Sequence, residues 1–262
     1  MAIKIKKINF SKIFWGVLSI FLVFVIWYIG SQKPSMKGLL PNPIDVIKYI
    51  FWSNSNKIGK VNIWGHIYWS MTRVITGYVL ACIVGIVLGF LTGWSKLGSA
   101  IIKPFYMVLR SIPSIAWIPL AILWFGIGEQ SKYFIIFIST MLIVMTNVID
   151  GVKDVDRDYL GVARMLGTSE RKMFWNIVLP CAVPQIFNGL QVGLGAAWAT
   201  VIAAEMVRSS KGVGWIILMG QTAMNMTQVF AGIIIIGLIG LTLALLMRGL
   251  EAKLCAWNVR GK

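Results

Sequence analysis

The chain is short of the residues that do chemistry. Its 262 residues include one histidine, His66, and nine acids against twenty-five lysines and arginines. A histidine-based metal site or a histidine-containing catalytic triad lacks its material. Cys82, Cys181 and Cys255 stand far apart with no paired spacing, which excludes a thiolate metal motif or a redox pair and leaves buried or lipid-adjacent thiols. No GxxxxGK[ST] phosphate loop occurs, and the nearest run, 167–173, places its lysine wrongly. These absences lead us to expect no catalytic residues, no metal and no cofactor on this chain. Charge is scarce too, at 13% of residues against roughly 25% in soluble domains.

What is present is apolar: 58% of residues are hydrophobic. A membrane-crossing helix needs about 20 mostly apolar residues. Six candidate spans appear, at 13–30, 74–95, 104–126, 133–149, 182–205 and 229–250, within a single domain covering 1–262. The expected class is an all-α membrane protein. The first run follows basic residues but has no small-residue cleavage site after it, so it reads as a retained helix. Pro113 and Pro119 interrupt the third run and predict a kink or a split. Between the first two spans, Pro41 and Pro43 fix a turn and Asp45 opens a short helix to Ile50. Residues 61–73, with Trp64, Tyr68 and Trp69, read as an amphipathic interfacial segment.

The net charge of +16 invites a nucleic-acid reading. The bases, however, are not gathered on one polar element, and no nucleic-acid partner is expected. Lys4, Lys6, Lys7 and Lys12 precede the first span; Arg248, Lys253, Arg260 and Lys262 follow the last. Such flanks follow the positive-inside bias, with some attraction to anionic lipid. With the N-terminus inside, Lys96, Lys103, Lys153, Arg157, Arg164, Arg171 and Lys172 join these flanks on the same side. Lys33, Lys37, Lys48, Lys57, Lys60, Lys132, Arg208 and Lys211 fall outside, and Arg73 and Arg110 stay within or near spans. The bias places both termini and the 153–180 loop in the cytoplasm.

That loop is the most informative stretch. It is polar and charged, yet lies between two long apolar runs. Asp154, Asp156 and Asp158 suit the positive end of a helix. Leu160 to Leu166 forms a short amphipathic helix, and Gly167 permits a sharp turn. Thr168 or Ser169 then caps a second helix, which Pro180 ends before the fifth span. A helix–Gly–helix unit of this kind can insert into a groove on a partner, with Ala163 facing that groove.

Gly77, Ala81, Gly85, Gly89 and Gly93 recur every four residues and place a small-residue stripe on one helix face. Small residues let membrane helices approach closely, either within a subunit or between copies. Glu205 is an acid near the end of an apolar run, read as lying near the outer interface. It either pairs with Arg208 or Lys211 or borders a path. Arg110, near Pro113, either lines a path or snorkels. Asn147 and Asp150 close the fourth span. Trp117 and Trp198 complete the path candidates, with Arg110, Asn147 and Glu205.

Several stretches taken together resemble one family. LLPNPIDVIK, SIPSIAWIPLAILWFGIGEQSK, GVARMLG, IVLPCAVPQIFNGLQVGLGAAWATVIAAEMV and KGVGWII look like the nitrate, sulfonate and taurine permease group of binding-protein-dependent ABC importers. The wider superfamily's coupling motif reads Glu-Ala-Ala, three residues, Gly, nine residues, Ile-x-Leu-Pro. Ala163, Gly167, Ile177, Leu179 and Pro180 match it, while Gly161 and Val162 replace its first two positions.

The resemblance implies a six-helix permease in a bacterial cytoplasmic membrane, with a coupling helix that contacts an ATPase through Leu160, Ala163, Arg164, Gly167, Thr168, Ser169, Ile177, Leu179 and Pro180. It also implies a second permease copy, two cytoplasmic ATP-binding subunits that hold ATP and Mg, and an extracytoplasmic substrate-binding protein. A small, anionic solute would move by alternating access. Two rivals fit less well. An ion-coupled secondary transporter wants intramembrane acids or paired broken helices. A membrane-embedded enzyme wants clustered His, Asp or Glu at membrane depth.

Overall fold

The computed structural model describes residues 10–36, 38–207 and 209–255. The basic residues Lys4, Lys6, Lys7, Lys37, Arg208, Arg260 and Lys262 lie outside this set, as does the side chain of Lys12. The described residues form helices and connecting turns, with no strand among them.

Helix α1, Phe10–Ser31, presents most of its apolar side chains from Phe14 onward to the outside. It is fastened at one end, where Trp27 stacks on Phe230 and donates its indole N–H to the Pro41 carbonyl. Helix α2, Pro43–Ser55, is longer than the expected turn of helix after Asp45. Proline occupies its first turn, where a missing N–H costs nothing, and the Asn42 side chain accepts from the Ile44 N–H at 2.9 Å.

Helix α3 runs unbroken from Ile63 to Trp94. The interfacial segment expected at 61–73 is therefore the first third of the second span. His66, Ser70 and Arg73 follow a four-then-three spacing, which puts all three on one side of a helix. All three are buried. The segment is amphipathic as expected: Trp64 and Tyr68 point outward, and the polar His66, Ser70 and Arg73 are turned toward the protein.

The third span is split, as Pro113 and Pro119 predict. Helix α4, Lys96–Ser111, ends just before Ile112, whose backbone Pro113 keeps extended. One 3₁₀ turn, Ser114–Trp117, leads into α5, Ile118–Phe125, which carries Pro119 in its first turn. The two arms meet at 94°. Pro113 makes the break; Pro119 starts the new helix.

Helix α6, Glu129–Lys153, is the most buried span and the centre of the bundle. It lies parallel to α3 along the small-residue stripe: Gly77 meets Ile136, Gly89 meets Val148 and Gly93 meets Val152. A Cβ added at Gly89 would come within 2.6 Å of Val148. The stripe thus serves close packing within the chain.

Beyond α6 come α7, Arg157–Met165, and α8, Glu170–Met173. A π-helical turn, Phe174–Val178, joins α8 to α9, Leu179–Val207, so one helical column runs from Glu170 to Val207. Pro180 does not end a helix. The π turn bonds the Leu179 N–H back to the Phe174 carbonyl, and this widened ladder accepts a residue with no N–H. Helix α9 runs antiparallel to α6: Gly151 meets Gln185, and Gly193 meets Val144 and Thr140. A short apolar helix absent from the six-span reading, α10 at Val213–Thr222, precedes the last span, α11 at Met226–Leu254.

Candidate functional site

Three regions carry the polar groups. The first is the expected coupling segment. Asp156 caps α7 by accepting from the Asp158 N–H at 2.9 Å. The helix closes with paired bonds: Gly167 N–H to the Arg164 carbonyl and Thr168 N–H to the Ala163 carbonyl, both 3.0 Å. Such a closure requires a left-handed residue just past the helix, and Gly167 supplies it at φ +72°. Ser169 stands at the start of α8, but its side chain makes no capping bond. Arg164 faces Glu170 across the turn at 3.4 Å, with both side chains well exposed.

The segment's two sides differ. Leu160, Ile177 and Leu179 pack on the core around Val155, Val178 and Ala182, and Phe174 sits edge-on to Phe90. Ala163, expected to face a partner, is 6% exposed and faces its own chain. The outward side instead carries Met165 at 82%, Leu166 at 79%, and the exposed Tyr159 and Val162. The signal for these four was present in the sequence: a nine-residue helix in a charged loop with apolar residues on both sides has one side too many for its own core.

At the opposite end of α3, α6 and α9 lies an ionic cluster in which Arg73, Lys132 and Glu205 are buried and Glu129 is partly exposed. Arg73 Nη1 donates to Glu205 Oε1 at 2.7 Å, and its Nη2 donates to Glu129 Oε1 at 2.7 Å. Lys132 Nζ reaches Glu129 at 3.0 Å. Glu205 also accepts from Ser70 Oγ at 2.7 Å and from the Gly214 N–H at 2.9 Å. His66 accepts from the Gly212 N–H on Nδ1, so its Nε2–H donates to the Ile58 carbonyl. Two cations face two carboxylates.

Glu205 is fully buried, and its ion-pair partner is Arg73 rather than Arg208 or Lys211. Arg208 lies outside the described residues. Lys211 contributes only its carbonyl to Arg73, at 2.8 Å, while its ammonium sits 4.6 Å over the Trp69 ring. The pairing joins residues 132 positions apart, which no local pattern announces.

The third region is a cavity of about 340 Å³ where α4 breaks, lined by Arg110, Pro113, Ser114, Ser139, Thr146 and Asn147 among others. Arg110 lies 3.1 Å from the Tyr106 hydroxyl, which in turn bonds Thr146. Asn147 accepts from Asn188 at 3.0 Å. Ser139 and Asn147 stand 10 and 18 residues into α6, or ~15 and ~27 Å along a helix about 36 Å long. The cavity therefore sits beside the middle and second half of α6. It unites Arg110 with Asn147. Trp117 is not among its walls, and its indole N–H is buried without a partner. Trp198 bonds the Ile236 carbonyl between α9 and α11.

The described residues thus form an apolar bundle with a broken span, a glycine turn after α7 and a polar cavity beside α6. Over residues 85–254 the sequence matches the family described as binding-protein-dependent transport system inner membrane component. The chain belongs to this family. Similar to this permease are the nitrate import permease of Synechocystis, 34% identical over 92% of this chain and 89% of the relative, and the taurine transport system permease of Escherichia coli, 31% identical over 93% and 88%. A Bacillus subtilis permease for aliphatic sulfonates is 32% identical over 93% and 87%. In fold, the permease is similar to a methionine ABC transporter at TM-score 0.53 and 18% identity, covering 77% of this chain and 98% of that one. An amino acid ABC transporter aligns at TM-score 0.60 and 15% identity, over 82% and 97%. The chain is thus an ABC importer permease subunit and a transport component of the inner membrane.

Proposed function

We propose that this permease moves a small oxoanion inward, powered by ATP that a separate subunit binds and hydrolyses. The observation carrying this reading is Arg110, exposed beside the cavity, with no carboxylate within 4 Å among the described residues. A charge facing lipid there costs a few kcal/mol, so the face bearing it lines a water-filled path closed by a second copy of the chain. There the guanidinium offers bidentate hydrogen bonds to a planar or tetrahedral oxoanion, with Ser114, Ser139 and Asn147 as neutral partners. Nitrate, taurine and sulfonates, named for the relatives, carry such groups.

The outward side chains of α7 dock in a groove of a cytoplasmic ATPase, and a substrate-binding protein engages the end that holds Arg73 and Glu205. ATP-driven closure of two ATPase subunits reaches the spans through the rigid column 170–207, and access alternates between the two sides. Coupling of this kind requires contacts that differ between the two states. Both termini and the 153–180 loop lie in the cytoplasm.

The test reconstitutes the full complex in proteoliposomes and measures uptake of nitrate, taurine and butanesulfonate. Arg110→Gln is expected to abolish uptake while binding-protein-stimulated hydrolysis persists. Undiminished uptake by this variant refutes the anion path. Labelling of a cysteine at position 169 by an impermeant reagent outside intact cells refutes the orientation.

A further inference from the structure

Below the Arg110 cavity, toward the end where α7 projects, lies a second hollow of about 160 Å³. Its walls include Thr92, Lys103, Tyr106, Arg110, Asp150 and Lys153. Arg110 is thus a wall of both hollows. Lys103 precedes it by seven residues on α4, which places the two on one helix side and about 10 Å apart along the axis. Lys153 closes α6 opposite them. Among the described residues, no ion pair within 4 Å joins Asp150 to Lys103, Lys153 or Arg110. The hollow therefore presents three cationic groups against one carboxylate, none of them in an ion pair among the described residues, where Arg110 bonds only the neutral Tyr106 hydroxyl. This differs from the Arg73 cluster, where the charges are matched and spent on one another.

We propose that this hollow is a second anion station, through which an oxoanion leaves the Arg110 cavity toward the coupling end, with Lys103 and Lys153 as its holding residues. The inference rests on the reading of the Arg110 cavity as an anion path. Several features suit a transit site rather than a storage site. The volume admits one small oxoanion with a few waters, given about 30 Å³ of liquid volume per water. Arg110 belongs to both stations, so an anion can be handed on without full rehydration. Asp150 lowers the net positive charge, and conduction requires binding strong enough for entry yet weak enough for release. Lysine ammoniums on flexible stems can follow a moving anion where a guanidinium fork would fix it.

The test uses the assembled transporter in inside-out vesicles, in a Cys181→Ser background because Cys181 is exposed while Cys82 and Cys255 are buried. The probes are the small sulfonate reagent sulfonatoethyl methanethiosulfonate and its trimethylammonium counterpart, applied to Lys103→Cys. The anionic reagent is expected to react preferentially. Lys153→Gln or Arg110→Gln should cut that preference by about threefold or more, as removal of one charge at close range would, and Asp150→Asn should raise it. A preference indifferent to all three changes overturns the station and leaves an ordinary basic flank. Ser114→Cys, in the upper cavity, separates the two ideas. If its anion preference depends on Arg110 while that of Lys103→Cys does not respond, only the second station falls. If neither position responds to Arg110, the anion path falls with it.

Discussion

At one end of α3, α6 and α9, Arg73, Lys132 and Glu205 are buried, Glu129 is partly exposed, and the two cations match the two carboxylates. At the other end, α7 and the residue after it turn Tyr159, Val162, Met165 and Leu166 outward from the chain. The first end has the composition of a surface and is sealed. The second has the composition of a core and is open. A buried ion pair adds little net stability over an apolar replacement, yet removing one member leaves an uncompensated charge. Exposed apolar side chains on a well-capped helix cost the fold little and offer area for association. The charges of the first end are therefore satisfied within one chain, whereas the second end leaves apolar area free for association.

The sharpest way to break this contrast is Arg73→Leu. It strands the fully buried Glu205, while Glu129 keeps Lys132, and is expected to cost about 3–5 kcal/mol, seen as a large drop in thermal unfolding temperature in detergent. Stability within 1 kcal/mol of the parent would mean that the cluster is not sealed. Next comes Ala163→Glu. The alanine faces its own core, so the carboxylate loses solvation there and should cost about 1–3 kcal/mol. A variant that keeps full stability yet loses the ATPase would return Ala163 to the partner side.

Gly167→Val is smaller in stability, about 1–2 kcal/mol for a side chain forced into left-handed backbone. It should uncouple hydrolysis from uptake, and normal coupling in vesicles would show that the turn is dispensable. Met165→Ser with Leu166→Ser should leave the unfolding temperature almost unchanged and abolish co-purification of the ATPase. Retained assembly would remove the docking role from this face. Least of all, Arg164→Gln should change stability by no more than about 1 kcal/mol, since its pair with Glu170 is solvent-exposed.

The sequence displayed these two ends unequally. The 153–180 loop was legible because its features are local: an aspartate cap, a short amphipathic stretch and a glycine at a fixed distance. Even so, Ala163 was assigned the wrong side, since a helix with two apolar faces does not say which one belongs to its own chain. The cluster was not legible. Arg73, Glu129 and Glu205 meet only through tertiary packing, and Arg73 sat in a stretch whose tryptophans suggested an interface. Pro180 misled because helix-breaking rules assume an α ladder, and the π turn before it relaxes that requirement. The glycine stripe and the Pro113 break were read correctly, since sterics alone dictate both. The helix Val213–Thr222 was missed because ten residues are too short for a span.

The matched charges of the Arg73 cluster also bear on electrical work. One elementary charge moved across a membrane potential exchanges about 2.3 kcal/mol per 100 mV. Two cations and two carboxylates that travel together sum to zero, so the potential does no net work on that end, however far it rocks. Arg110 has no such counterweight among the described residues. Voltage therefore acts chiefly where charge is unmatched, on Arg110, its neighbouring lysines and any anion they pass, rather than on the matched end.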